Sequence, residues 1–254
     1  MSYLFAEQDR ESLARMADVG LVVIPVGASE PHGPHLPSGT DSLLISHIAK
    51  EVAIVLTDDV PTLVAPTIPF GYSAYHLAEG PTISLSIGTL LQVMVDVLSS
   101  IAASGFRRMF ILNGHGGNAE LIQVAARAYA EQDEACLVGA GSYWSMAWDR
   151  LVAAGGLDDC RLPGHAGKFE TAIVEAIRPD LVGEIPTGRQ AQPDDVIDLA
   201  GRFYKDHRVG WRRRWPQGFT DDPSRAGPQL GAALLAAAID GAAECLRQFY
   251  SDSL

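Results

Sequence analysis

The chain has 254 residues, 47% of them hydrophobic and 20% charged, and 31 acidic against 19 basic side chains give a formal charge of −12. That apolar share excludes a disordered chain, and the length suffices for a core without disulfide or metal staples. The acidic balance excludes a phosphate-tracking nucleic-acid binder and a docking face for anionic lipid.

Cys136, Cys160 and Cys245 stand far apart with no CxxC pair, so neither a disulfide framework nor a thiolate zinc site is expected. The N-terminus has no basic stretch followed by an apolar one, so no signal peptide is expected. No uninterrupted apolar run approaches the ~20 residues of a membrane span. These features predict a cytoplasmic protein with reduced thiols, folded as one domain over residues 1–254.

In chain order, residues 21–26 (LVVIPV) are a continuous apolar run, as in a strand buried on both faces. Residues 42–56 carry Leu43, Leu44, Ile48, Val52, Ile54 and Val55 at helical spacing. A strand is predicted over 63–68 and an amphipathic helix over 88–103, stopped by Gly105. A short buried strand over 109–112 (MFIL), a helix over 120–131 and a strand over 136–139 follow. A helix over 169–177 ends before Pro179, and an Ala/Leu-rich, closely packed helix runs over 231–249. This alternation predicts an α/β domain with a mainly parallel sheet covered on both faces. Residues 185–230 are rich in Pro, Gly, Arg and Asp with little periodicity, so they read as a loop-rich excursion, functional or oligomer-forming. Within it, 208–215 (RVGWRRRW) is either an arginine site for an anionic substrate group or a subunit contact or solvated loop.

Three polar clusters carry the chemistry. The first, 27–41 (GASEPHGPHLPSGTD), follows the first strand, where open α/β sheets place their sites. Its three prolines and three glycines stiffen and bend the loop, which aims Glu30, His32 and Asp41 in fixed directions. Those residues suit zinc, manganese or iron, and the plain alternative is a turn whose Ser38, Thr40 or Asp41 caps the next helix. The second, 113–118 (NGHGGN), offers His115 as a ligand, with Gly116 and Gly117 letting backbone approach an ion or substrate. A lone loop histidine or a phosphate cradle is the alternative, although GxxxxGK[ST] is absent. The third, 164–172 (GHAGKFETA), puts Glu170 in a first helical turn and His165 just before it. Helix-start electrostatics and a surface histidine are the simpler readings of these two.

Glu30, His32, Asp41, His115 and Glu170 are too many for one tetrahedral zinc with an open position; they fit two ions sharing one carboxylate. His35 is a candidate for orienting a ligand or the loop. His76, in GYSAYHL, either lines a substrate pocket with Tyr72, Ser73 and Tyr75 or is an ordinary loop histidine; His47 is expected to be structural.

At these residues the chain resembles the creatininase (creatinine amidohydrolase) family, in its N-G-H-G-G-N branch. The family carries G-x-x-E-x-H-G-x-H-L-P, then an Asp, then N-G-H-x-x-N, then H-A-G-x-x-E-T. Here VGASEPHGPHLPSGTD, ILNGHGGNAE and GHAGKFETA stand in that order. PFGYSAYHLAEGPTISL is similar to the family segment ending P-G-T-x-x-L, with Gly80 and Pro81 reversed. The resemblance runs over residues 20–180, with weaker similarity through the final helix.

It implies a three-layer α/β/α sandwich, a dinuclear metal hydrolase of C–N bonds and a homo-oligomer, with a hexamer favoured. In the family pattern Glu30, Asp41 and His115 hold one ion, and His32, Asp41 and Glu170 the other, with Asp41 bridging. Creatininase itself has a tyrosine and a metal-binding glutamate where this chain has Gly116 and Gly117. The glutamate ligand is therefore Glu170, and a substrate other than creatinine is expected. The leading expectation is cleavage of a small cyclic or formyl amide by metal-activated hydroxide. It uses two divalent ions (zinc, manganese or iron), with His165 as proton shuttle beside Glu170. Trimming of a short peptide or opening of a different ring is the alternative, followed by a scaffold or binding protein that retains the fold.

Overall fold

The structure, a computed structural model, describes residues 2–156, 163–187 and 217–252. A short helix α1 (Arg10–Met16), capped by the Asp9 carboxylate accepting from Glu11 and Ser12 amides, leads into strand β1 (Leu21–Val26). Then come α2 (Thr40–Val55), β2 (Thr62–Val64), α3 (Ile87–Ala103), β3 (Arg108–Asn113), α4 (Ala119–Ala130) and β4 (Leu137–Ser142). Two short helices, α5 (Tyr143–Met146) and α6 (Trp148–Ala153), precede α7 (Lys168–Ile177) and the long α8 (Pro228–Ser251).

The four strands pair in parallel in the order β2–β1–β3–β4, with Leu21 opposite both Thr62 and Arg108 and Arg108 opposite Leu137. Successive side chains leave a strand on opposite faces. Leu21 and Val23 of β1 and Phe110 and Leu112 of β3 join the core beneath α2, α7 and α8. Val22, Ile24 and Val26, with Met109 and Ile111, join the core beneath α3 and α4. Both faces are covered, which is why these strands read as unbroken apolar runs. The result is the three-layer α/β/α arrangement with a parallel central sheet.

The elements depart from the sequence expectation where local chemistry intervenes. Strand β2 ends at Val64 and does not run to 68, because Pro66 cannot donate to a ladder; only Ile68 returns, as a single bridge to Val26. Strand β4 extends to Ser142 through Gly139 and Gly141. A Cβ on Gly139 would sit 2.6 Å from the Phe110 ring of β3 and 2.7 Å from the Phe249 ring of α8, so the absence of side chains that blurs the strand signal also seats the sheet on that helix. Helices α1, α5 and α6 are too short to show a period. Helix α8 begins at Pro228, inside the 185–230 excursion, and a 3-10 turn at Pro223–Arg225 precedes it. The patch 208–215 and Cys160 lie outside the described residues.

By length and composition α8 could cross a bilayer, although Asp240, Glu244 and Arg247 interrupt its apolar run. It instead packs on α7, α2, α5 and α6, burying Leu234, Ala238, Ala242, Ala243 and Leu246. Its outer face pairs Glu244 with Arg150 and Arg247 with Asp59.

The connection leaving β1 runs through α2 on one face, and the connections through α3 and α4 run on the other. The strand order therefore reverses between β1 and β3, and a crevice opens beyond their carboxyl ends. The loops that follow these two strands meet there.

Candidate metal centre

The loop after β1 starts tight against α2: a Cβ on Gly27 would lie 2.6 Å from Ser42 Cα. Gly33 takes φ +63°, in the region that favours glycine, and turns the chain back. The Glu30 amide then donates to Ser38 O at 2.9 Å, closing the loop. Helix α2 has Gly39 at its start and no side-chain cap. Asp41, in its first turn, does not cap: its carboxylate faces inward to two imidazoles.

After β3, Asn113 orients the next histidine from both sides. Its Oδ1 accepts the His115 amide at 3.0 Å, and its Nδ2 donates to His115 O at 2.8 Å. Asn118 ties the loops together, donating from Nδ2 to Gly27 O and accepting the Tyr72 amide on Oδ1. Helix α7 brings Glu170 from the other layer, and the turn before it places His165 beside His32, with ring centroids 4.3 Å apart.

The donors converge as two groups that share Asp41. Glu30, Asp41 and His115 form one and His32, Asp41 and Glu170 the other; within each group the donor atoms lie within 4.8 Å of one another. Glu30, His32 and His165 form a third grouping on the same centre. His115 Nδ1 is 2.9 Å from Asp41 Oδ2; His32 Nε2 is 3.3 Å from Asp41 Oδ1 and 3.7 Å from Glu170 Oε2. The far nitrogens are held by main chain: His32 Nδ1 donates to Glu30 O at 3.0 Å, and His115 Nε2 to Tyr72 O at 3.1 Å. That turns His32 Nε2 and His115 Nδ1 toward the shared carboxylate, carrying protons when no ion is bound and free to give their lone pairs to one that replaces them, the outer-shell arrangement that orients metal-binding histidines. Glu30 Oε2, His32 Nε2 and Asp41 Oδ2 are buried without a hydrogen-bond partner among the described residues. Buried carboxylate oxygens and an imidazole nitrogen left this way fit a cation between them.

Electrostatics point the same way. Burial raises the Glu30 carboxyl, but the His115 and His76 imidazoles outweigh it and hold it at about 2. Burial depresses His32, but Asp41 and Glu170 overcome this and lift it to about 10; Glu30 and Asp41 lift His115 likewise to about 9. Burial outweighs His32 at Glu170 and raises it to about 7. Protons thus stand in for positive charge within the cluster. His165 behaves differently: burial first, then the neighbouring His32, push it well below the usual histidine range, so it is a neutral base. Its Nε2 donates to Pro31 O at 2.9 Å, which turns Nδ1 toward Glu30 Oε1, 3.5 Å away.

The remaining expected residues surround this centre. Tyr72 contributes its carbonyl, and Ser73 Oγ and Tyr75 Oη lie 3.4 and 3.3 Å from His115 Nε2. His76 is buried, with Nε2 3.2 Å from Glu30 Oε1 and Nδ1 3.2 Å from Glu79 Oε2, so it braces a carboxylate of the cluster. His35 does not reach the donors; its Nε2 meets Thr171 Oγ1 at 2.8 Å and joins the β1 loop to α7. A Cβ on Gly116 would meet nothing within 4 Å, whereas one on Gly117 would lie 2.3 Å from Tyr72 O and 2.6 Å from His115 Nε2. A glutamate cannot stand at 117 in this geometry. Sequence reading passed over Glu79, Thr171, Asn118, Thr220 and Asp221. Asn118 and Thr171 stood in the NGHGGN and GHAGKFETA motifs without being given a role, Glu79 lies three residues after His76 in a polar turn, and Thr220 and Asp221 offered no local signal.

A family model described as creatininase, creatinine amidohydrolase, matches residues 7–246. The chain belongs to the creatininase family. It is thus a creatininase-family hydrolase, and its clustered donors lie on the motifs that carried the resemblance. It is 31% identical over 224 residues to a mycofactocin precursor peptide peptidase of Mycobacterium ulcerans (strain Agy99), covering 86% of this chain and 81% of the relative. It is 29% identical over 206 residues to a 3-dehydro-scyllo-inosose hydrolase of Thermotoga maritima, covering 78% and 64%. A creatininase mutant solved in a form described as Zn–Zn superposes with a TM-score of 0.81 at 25% identity, covering 98% of each chain.

Proposed function

We propose that this creatininase-family chain is a dinuclear metal-dependent amidohydrolase that cleaves a C–N bond of a small cyclic or formyl amide. The observation that carries the reading is the pair of donor groups sharing Asp41. Glu30, Asp41 and His115 would hold one divalent ion, and His32, Asp41 and Glu170 the other; zinc, manganese and iron all suit such donors. When bound, paired ions supply Lewis acidity and a water acidic enough to give hydroxide near neutral pH.

The chain's own residues do the rest. His165, neutral and turned inward on Nδ1, takes a proton there and passes it to the leaving nitrogen. The open space beside Gly116 is room for the substrate, next to Ser73 and Tyr75. The Tyr72 carbonyl, Asn113 and His76 keep His115 and Glu30 in place and exclude water from their far sides. The reading extends to one domain over residues 1–254 and to a cytoplasmic homo-oligomer, with a hexamer favoured by family resemblance.

A second reading is trimming of a short peptide. It is supported by the name of the Mycobacterium ulcerans relative. Elemental analysis of protein purified without chelating resin tests the metal centre, and a panel of lactams, formamides and short peptides, assayed with the bound metal, separates the substrates. About two ions per chain support the proposal. A value near zero that stays there after incubation with zinc, manganese and iron overturns it.

A further inference from the structure

We propose that Thr220 and Asp221 are positioning residues, which supply the missing cap of α7 from a distant segment and so hold His165 and Glu170 toward the donor cluster. The inference rests on the roles given above to those two residues.

A helix start leaves amides without partners, and a side chain at the cap position ordinarily accepts from them. Helix α7 has Gly167 there and no side-chain cap of its own. The acceptor comes instead from 53 residues further on, where Asp221 Oδ2 takes the Lys168 amide at 2.9 Å. Thr220 grips the residue before the helix from both sides. Its Oγ1 accepts the His165 amide at 2.8 Å, and its own amide donates to His165 O at 2.9 Å. The Thr220 hydroxyl in turn donates to Asp221 Oδ1 at 3.2 Å.

The turn is shaped around these two side chains. A Cβ on Gly167 would lie 1.6 Å from Asp221 Oδ1, and one on Gly164 2.7 Å from both Asp221 Oδ1 and Thr220 Oγ1. Gly164 takes φ +81°, and Ala166 takes φ +48°, which a residue with a Cβ adopts only under constraint. The Ala166 amide donates to Glu170 Oε2. The strained turn thus connects the clamp at 220–221 to the carboxylate at 170 and the imidazole at 165. Neither Thr220 nor Asp221 is among the donors, so both act through the turn and not on the reacting atoms.

The test compares Asp221→Ala, Asp221→Asn and Thr220→Val in the full-length protein. Stepwise zinc titration against a chromophoric chelator is paired with 15N resonances of labelled histidine side chains. Asp221→Ala is expected to keep the ion on Glu30, Asp41 and His115 at wild-type affinity and to lose roughly 10–100-fold on the ion that needs Glu170. Its His165 resonances should shift. Asp221→Asn retains an oxygen for the Lys168 amide and should restore both signals. Thr220→Val removes one hydroxyl at nearly constant shape and carries the test should Asp221→Ala fail to fold. Wild-type affinity at both sites with unmoved His165 resonances would overturn the proposal, and so would equal weakening of both ions. A wild-type protein that binds no zinc overturns the metal-centre reading itself; the positioning role is then decided by the His165 resonances alone.

Discussion

Asp41 contributes one oxygen toward His115 and the other toward His32, so each donor group depends on it. Asp41→Ala is therefore expected to abolish binding of both ions, measured by elemental analysis after dialysis; retention of two ions would sink the bridging role. His165→Ala should behave in the opposite way. Its ring abuts the centre, but the two groups sharing Asp41 are complete without it, so metal content should stay unchanged while turnover falls roughly 10²–10⁴-fold. Normal turnover would remove the shuttle. The five donors were legible because carboxylates and imidazoles gathered in short loops just past apolar strands are costly unless they bind something. His76 was legible only as an uncertain pocket residue. Its contact with Glu30 spans 46 positions, and no spacing rule reports contacts made by loops that meet in space. The His35 contact of Thr171, and Thr220 and Asp221 altogether, were hidden for the same reason.

Among the elements, α7 carries the heaviest constraint, since it positions Glu170 while packing on α8. The packing depends on Gly231, where a Cβ would lie 1.8 Å from Ala172 O. Gly231→Ala must separate the helices or bend one. The expected cost is about 1–3 kcal/mol in urea or thermal unfolding, together with weaker binding of the ion that uses Glu170. A variant with wild-type stability and full metal affinity would show that α7 and α8 can separate without moving the site. The apolar runs and helical periods located most elements to within a few residues, because strands buried on both faces and helices with one apolar stripe leave distinct patterns. The failures have local causes. Proline broke the ladder of β2, glycine diluted β4, and α1, α5 and α6 span too few turns to display a stripe.

At the scale of the whole molecule, the centre ties several elements together at one end of the sheet: Glu30 and His32 follow β1, Asp41 opens α2, His115 follows β3, and Glu170 stands on α7 in the same layer as α2. Metal removal should then lower global stability, and by an amount that depends on pH in a definite direction. Without ions the folded cluster holds protons that the unfolded chain releases. Glu170 is raised from 4.5 to about 7, His115 from 6.5 to about 9 and His32 from 6.5 to about 10. A group raised on folding stabilises fully below its unfolded value and loses that contribution as pH climbs through its folded one. The metal-free protein should therefore weaken from neutral to alkaline pH, whereas His165 and His35, both lowered on folding, act in the opposite direction below their unfolded value of 6.5. Glu30, lowered from 4.5 to about 2, acts oppositely, and its contribution disappears only as pH falls through that range. Ions compete with the same protons, so their binding strengthens as pH rises. The gap in Tm between manganese-loaded and EDTA-treated protein should accordingly be wider at about pH 8.5 than at about pH 6. With free metal at 100 times Kd the gain is about 2.7 kcal/mol, on the order of 5–10 °C for a chain of this size. A gap that stays constant or narrows toward alkaline pH would mean that the ions do not displace the protons held by His32, His115 and Glu170. They would then have to bind somewhere other than the crevice between β1 and β3.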